Sequence, residues 1–367
     1  MKILLLADPS ASHTVKWVNS LSESGIDILL FGLSDYNNDL YNSNINIEIF
    51  KTPSNIKKKT DGSVLKSYYL WAYPTLRKIV REFKPDIIHS HYASSYGLLG
   101  TLCGFHPFLI SVWGNDIFDF PKKSVLHKSL IKFIFARTDQ IFSTSQIMAK
   151  ETNHYTNKKI EVIPFGVDPN IFYPQKIKNY FNEDDIIIGI VKSLEINYGV
   201  EYLIKAFKIL LNKYPLLPLR LLIVGGGSLE NKLKGEAKDL IEKGVAIFTG
   251  HIPHNKISKF HNMIDIAVFP SISESFGVSV IEASACGKPV IISDVGGMPE
   301  VIENNITGIK VNPADENNLA WAIEKLLLDE NLRIKMGENG RELVKKNFYW
   351  NDNVEKMISY YHNIINN

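Results

Sequence analysis

The sequence predicts an α/β protein made of two parallel-sheet domains, and three observations carry that prediction. Short apolar runs such as Lys2 to Leu6, Ile186 to Val191 and Leu219 to Val224 alternate with stretches of helical spacing, the pattern of buried strands covered by helices. The alternation runs twice, on either side of a polar stretch from Pro174 to Asp185. At 367 residues the chain is too long for one ordinary core and suits two.

In the first half, Lys2 to Leu6 reads as a buried strand, Asp8 to Ser12 as a loop, and His13 to Ser22 as a helix with Val15, Val18 and Leu21 on one side. Gly25 ends that helix before a second strand, Ile26 to Phe31. This opening lacks G-x-G-x-x-G, which argues against a dinucleotide site here. Residues 51–66 carry Lys51, Lys57, Lys58, Lys59 and Lys66, as a solvated loop or as a cationic loop near anionic lipid. Pro85 to His91 reads as a strand ending in the pair His89 and His91. With no third ligand at suitable spacing the pair is not a zinc site, and no metal is expected. Phe108 to Val112 is the next strand, followed by Trp113-Gly114-Asn115-Asp116. Ser124 to Arg137 reads as a helix in which Leu126, Leu130, Ile131 and Phe135 accompany Lys128, Lys132 and Arg137. Such a helix fits either a core with a basic edge or an anionic membrane surface. Strands Ile141 to Ser145 and Ile160 to Ile163 close the first domain.

In the second half, Ile186 to Val191 is a strand ending at Lys192, and Leu219 to Val224 leads into Gly225-Gly226-Gly227-Ser228 and a helix. Glycines there let the backbone approach a phosphate at a helix N-terminus. The stretch 264–303, IDIAVFPSISESFGVSVIEASACGKPVIISDVGGMPEVIE, organises this half. Ile264 to Phe269 is a strand stopped by Pro270, Ser271 to Ser275 a polar loop, and a helix opens at Phe276-Gly277 and ends near Gly287. Pro289 to Ser293 is the next strand, and Gly296-Gly297 a turn. The loop follows the carboxyl end of a strand, where open α/β sheets bind ligands. The N–H groups of Phe276, Gly277 and Val278 have no partner inside the helix, and the helix dipole adds roughly half a positive charge there. That is an anion site. Glu282 falls in the second turn and Glu274 just before the start, so one carboxylate can face a diol and the other a group beyond the phosphate.

The spacing Glu274-x7-Glu282, inside this longer pattern, closely resembles the signature of glycosyltransferase family 4. The resemblance implies a retaining, nucleotide-sugar-dependent enzyme of the GT-B fold, with two Rossmann-like domains facing a cleft and a C-terminal helix crossing back to the first. It places an acceptor-side domain at 1–170, a linker at 171–185, a nucleotide-sugar-binding domain at 186–345 and the returning helix at 346–367. Ile163 to Asp168, with Phe172 and Pro174 beyond, resembles the IPNGVD-x3-F-x-P hinge, Phe165 replacing the usual Asn. The segment KSLEINYGVEYLIKAF is similar to GRLxxxKGVxYLIxAF, whose Arg and Lys bind the donor diphosphate. Aligned on Gly199, Ser193 falls on the Arg and Tyr198 on the Lys, whereas a one-residue shift brings Lys192 to the Arg position. Lys192 is the expected cation, because two phosphates in a metal-free site require one. Gly250-His251-Ile252-Pro253 resembles the segment that packs on the nucleotide base, through Ile252 and the backbone of His251.

The resemblance thus implies Glu274, Lys192 and Asp116 as catalytic candidates, the sugar contact falling to Asp116 or Asn115 because Trp113 stands where relatives often carry a sugar-contacting histidine. It implies Glu282, Phe276, Gly277, Val278, Ile252, His251, Gly226 and Gly227 around the nucleotide, and Ser10, His13 and His91 on the acceptor side. His13 fits a packing or capping role equally well. The expected donor is a UDP-sugar and the expected acceptor a glycan or lipid-linked sugar in bacterial surface polysaccharide assembly, with no cofactor or metal.

Composition fits this reading. Charged residues are 22% and apolar residues 45%, as in a soluble globular protein. A net charge of +2 gives no nucleic-acid signal. Cys103 and Cys286 fall in different expected domains, so a reducing cytoplasm is expected, with the inner membrane face as a site of peripheral contact. The start MKILLLADPS is too short in apolar length for a signal peptide, and no run reaches the ~18 apolar residues of a spanning helix. Two rivals remain at this level. An NAD-dependent oxidoreductase would use V-G-G-G-S as its phosphate loop, but Glu242 sits in a helix-like stretch rather than at a strand end. A non-catalytic sugar-nucleotide binding protein would fit the departures at Trp113, Ser193 and Tyr198.

Overall fold

The computed structural model describes residues 1–57 and 62–366, so Lys58 and Lys59 lie outside the described residues. The chain divides into two compact units, Met1–Pro164 with Asp352–Asn367, and Phe165–Asn351.

The first unit contains strands β1 (Lys2–Leu6), β2 (Asp27–Gly32), β3 (Asn46–Ile49), β4 (Ile87–His91), β5 (Phe108–Val112), β6 (Gln140–Ser143) and β7 (Ile160–Val162). They form one parallel sheet in the order β3-β2-β1-β4-β5-β6-β7. Its central strands are buried along their length, which explains why KILLL and FLISV carry almost no polar residues. Edge strand β3 is half-exposed, and its alternation of polar and apolar residues is too short to stand out in the sequence. From Asp352 onward, helix Trp350–Asn366 belongs to this unit. The Tyr361 hydroxyl there lies 2.7 Å from His89 Nδ1, and Lys356 Nζ donates to the Val162 carbonyl at 2.8 Å.

The second unit contains β8 (Ile186–Val191), β9 (Leu219–Val224), β10 (Ala246–Phe248), β11 (Ile266–Phe269), β12 (Val290–Ser293) and β13 (Gly308–Val311). The order is β10-β9-β8-β11-β12-β13, again all parallel. Counted within each unit, both sheets begin with the third, second, first and fourth strands side by side, the Rossmann order. The strand order therefore reverses between β1 and β4 in one unit and between β8 and β11 in the other. Residues 171–185, expected as a linker, are part of the second unit: Ser258 Oγ donates to the Ile171 carbonyl at 2.5 Å, and Asn262 Nδ2 to the Tyr173 carbonyl at 3.0 Å. Among the described residues, no helix is long and apolar enough to cross a membrane.

Candidate active site

Lys192 follows β8 directly and Glu274 lies in the loop after β11, so both stand at the reversal point of the second sheet. There the Lys192 ammonium meets the Glu274 carboxylate at 2.5 Å, with side-chain exposures of 14% and 12%. The ammonium also lies 4.3 Å from the centre of the Tyr198 ring, a cation–π contact. Burial, the largest influence on Lys192, favours the neutral amine; the charge and hydrogen bond of the Glu274 carboxylate, helped by Tyr198 and Glu282, outweigh it and raise the pKa. The lysine is a fixed cation. Ser193, the competing position in the alignment, is exposed beside it.

Backbone contacts hold these loops in place. At Gly225, with φ +137°, a Cβ would lie 1.9 Å from the Lys192 carbonyl oxygen. At Gly296, with φ +51°, a Cβ would lie 1.8 Å from the Glu274 carbonyl oxygen. Only glycine fits either place, so the G-G-G run and the G-G turn press on the two segments that carry the ion pair, the end of β8 and the loop after β11. Glu195 adds a second tie by accepting from the N–H (2.9 Å) and hydroxyl of Ser228. The Gly225–Gly227 loop follows the second strand of its unit, whereas a dinucleotide loop follows the first, and Glu242 ends helix Lys238–Glu242. The NAD reading fails on this topology.

Helix Val278–Ala285 starts at Gly277, whose φ of +107° requires glycine. Phe276 is buried and packs edge-on against Phe165 and Phe348, at 6.1 and 5.9 Å between ring centres. Among the described residues the N–H groups of Phe276, Gly277 and Val278 have no acceptor. Glu282, in the second turn, is buried. Its Oε1 is 3.1 Å from His254 Nε2, and its Oε2 is 3.4 Å from His261 Nε2, near enough for an ion pair but not aligned for a hydrogen bond. Burial alone would raise the Glu282 pKa, but the two histidines more than offset it and hold the carboxyl at about 2. His251 lies beside the glycine loop, since a Cβ on Gly226 would approach the His251 nitrogen to 3.2 Å, and Ile252 follows it in the chain.

The first unit has its own cavity, of 490 Å³, at the reversal point between β1 and β4. Asp8, Ser10, Lys57, Lys66, His91 and Trp113 are among its lining. Ser10 is tied to Asp8, donating from its N–H (2.9 Å) and its hydroxyl (2.8 Å) to Oδ1. His91 is buried, its ring lies tilted at 4.4 Å from that of Trp113, and its Nδ1 has no hydrogen-bond partner among the described residues. Burial, helped by the neighbouring His89 and His13, holds its pKa well below the usual range. His13 lies edge-on to Trp113 at 6.1 Å.

Asp116 is fully buried, and its carboxylate accepts from the N–H groups of Ala93 (2.8 Å), Trp113 (3.2 Å) and Gly114 (2.8 Å). This geometry fastens the ends of β4 and β5 to each other and presents Trp113, so we assign Asp116 a positioning role rather than a sugar contact. Sequence reasoning missed His254 and His261 as partners of Glu282 and Tyr198 as the partner of Lys192. The pattern G-H-I-P-H offered a signal for His254, but nothing local ties His261 to a glutamate 21 positions on. Among the described residues, no group of three or more His, Cys, Asp or Glu could hold a metal ion.

Residues 174–343 match the family described as glycosyl transferases group 1, and residues 2–145 match glycosyl transferase 4-like. The capsular polysaccharide biosynthesis glycosyltransferase CapM of Staphylococcus aureus is 31% identical over 72% of this chain and 73% of its own length. An uncharacterised glycosyltransferase of Methanocaldococcus jannaschii is 29% identical over 59% of this chain, and the match spans only 58% of that relative's length. Sucrose-phosphate synthase of Thermosynechococcus elongatus has the same GT-B fold, with a TM-score of 0.83 at 20% identity over 99% of this chain and 98% of its own. Anabaena HepE, solved in complex with UDP, has a TM-score of 0.77 at 17% identity over 98% and 99% of the two chains. The chain belongs to the group 1, family 4 glycosyltransferases.

Proposed function

We propose that this chain is a retaining glycosyltransferase that moves a sugar from a UDP-sugar to a glycan or lipid-linked acceptor in surface polysaccharide assembly. One observation carries the reading: a largely buried cation, Lys192, paired to Glu274 at a sheet's reversal point, close to a helix that begins with unpaired N–H groups and holds the ionised Glu282. The solved complexes of HepE with UDP and UDP-glucose support the donor, and the role named for CapM supports the pathway class.

In this reading the Phe276, Gly277 and Val278 N–H groups and Lys192 receive the diphosphate, in the way helix N-termini and cations receive anions. A carboxylate has about four acceptor sites. Glu282 uses part of that capacity on its histidines and has room for the two ribose hydroxyls. Glu274 takes hydroxyls of the transferred sugar while its other oxygen stays on Lys192. As the bond between sugar C1 and the phosphate oxygen breaks, negative charge grows on the leaving diphosphate, and Lys192 stabilises it more in the transition state than before. The acceptor oxygen attacks C1 from the same face and its proton passes to the departing phosphate oxygen, so configuration is retained. No cofactor or metal takes part.

A thermal-shift screen over UDP-, GDP- and ADP-sugars tests the donor. A ligand at 100 times its Kd adds about 2.7 kcal/mol of stability, so a UDP-sugar is expected to raise Tm where the others do not. A shift with GDP- or ADP-sugars alone would overturn the choice of UDP.

A further inference from the structure

We propose that Tyr198 is a ligand of the donor diphosphate, its hydroxyl donating to the phosphate whose charge Lys192 counters. The proposal rests on the reading of Lys192 as the diphosphate's cation and adds a further group to that same site. The Tyr198 ring lies under the Lys192 ammonium, 4.3 Å from nitrogen to ring centre. The residue is only partly buried, and its hydroxyl has no hydrogen-bond partner among the described residues. The short turn that carries it, Ile196–Tyr198, is held from both sides. On one side the Asn197 carbonyl accepts from the N–H groups of Ile272 (2.8 Å) and Ser273 (3.2 Å), in the loop that carries Glu274. Gly199, with φ +59°, presses on the start of that loop, where a Cβ would lie 2.2 Å from the Pro270 carbonyl oxygen. On the other side the Leu194 N–H donates to the Gly226 carbonyl at 3.0 Å, and the Glu195 carboxylate holds Ser228. Tyr198 is thus fixed between the glycine loop and the loop of the ion pair.

Supporting a cation needs only the face of an aromatic ring, which phenylalanine also offers. The hydroxyl is the part that this role leaves unexplained. The Lys192 ammonium is already shared with Glu274, so a diphosphate bound there calls for donors besides that one cation. A neutral O–H gives a hydrogen bond to a charged acceptor, stronger than one between neutral groups, and brings no second positive charge to repel Lys192. Because the ammonium lies over the ring face, the hydroxyl at the ring edge is close enough for the two to grip oxygens of one diphosphate.

Titrations of the full chain with UDP and with uridine, for wild type, Tyr198→Phe and Tyr198→Leu, test the proposal. Tyr198→Phe keeps the ring and removes only the hydroxyl. Its affinity for UDP is expected to fall by about tenfold or more, as for a lost hydrogen bond to a charged group. Its affinity for uridine, which has no phosphate, is expected to stay at the wild-type value, which also shows that the variant is folded. Tyr198→Leu is expected to bind UDP no better than Tyr198→Phe and to lose further in kcat, since Lys192 then loses its ring. UDP affinity at the wild-type value in Tyr198→Phe, with a loss only in Tyr198→Leu, would overturn the proposal and leave Tyr198 as a support for Lys192. Equal losses for UDP and uridine in Tyr198→Phe would overturn it too, because the hydroxyl would then not act at the phosphates. A wild type that binds UDP no more tightly than uridine would instead overturn the diphosphate reading itself, and the proposal with it.

Discussion

The ammonium of Lys192 and the carboxylate of Glu274, 82 residues apart in sequence, close to 2.5 Å at the point where the strand order of the second sheet reverses. Each is the other's counter-charge. A buried pair of this kind costs desolvation on both sides, and removing one partner leaves the other stranded, which typically costs 3–5 kcal/mol. We expect Lys192→Met and Glu274→Gln each to lower stability on this scale and the double variant to recover much of it. Denaturant unfolding of the four proteins as a double-mutant cycle checks this. Additive losses would mean the pair is not coupled.

Glu282→Gln is expected to weaken UDP binding by roughly 1–3 kcal/mol, the scale of a charge-assisted hydrogen bond. It also has a pH signature. The folded carboxyl titrates at about 2 against an ordinary 4.5. Because the folded value is the lower one, its contribution, on the order of 3 kcal/mol, is complete above pH ~4.5 and vanishes as pH falls through ~2. The stability gap between wild type and Glu282→Gln is therefore expected to narrow on acidification across that window. A gap constant from pH 6 to pH 2 would mean that His254 and His261 do not hold the ionised form.

Gly296→Ala places a methyl group 1.8 Å from the Glu274 carbonyl oxygen, so the loop carrying Glu274 has to shift. A displacement of about 1 Å at a reacting group can cost roughly 10²-fold in rate, and kcat/KM is expected to fall on that scale. Gly25→Ala is the control. Its φ is also positive, at +82°, but nothing lies within 4 Å, so it is expected to cost roughly 1–2 kcal/mol of stability and leave the rate alone. Equal activity in the two variants would detach the turn from the site.

The main elements and the Glu274-to-Val278 loop were legible in the sequence because their signals are local. Strand, proline stop, polar loop, glycine and helix follow one another within 40 residues, and β11, helix Val278–Ala285 and β12 form there. Lys192 was legible only as one of two alignments, since a one-residue shift leaves no trace in periodicity. What the sequence hid is set by tertiary contact. Asp116 read as a sugar ligand because the chain does not display the three amides that enclose it, one of them from Ala93 on another strand's loop. His261 and Glu282 meet across two helices.

Helix Val125–Ala136 turns Ile131, Ile134 and Phe135 inward while Val125, Leu126, Lys128 and Lys132 stay exposed. Core packing and an exposed edge of apolar and basic residues thus coexist on one helix. We expect flotation with anionic vesicles at low ionic strength and release at high salt, where the charge attraction is screened. Protein left at the bottom of the gradient at low salt would reject membrane contact.

The most direct test of the account compares steady-state transfer by Lys192→Ala and Ser193→Ala. In the proposed mechanism a fixed cation receives the diphosphate, and losing such an electrostatic partner typically costs ~3–4 kcal/mol, about 10²–10³ in kcat. A neutral, exposed hydroxyl next to it offers only an ordinary hydrogen bond, worth about 1 kcal/mol. Lys192→Ala is therefore predicted to lose most of kcat while Ser193→Ala keeps activity within about tenfold of wild type, and a larger loss in Ser193→Ala would contradict the account.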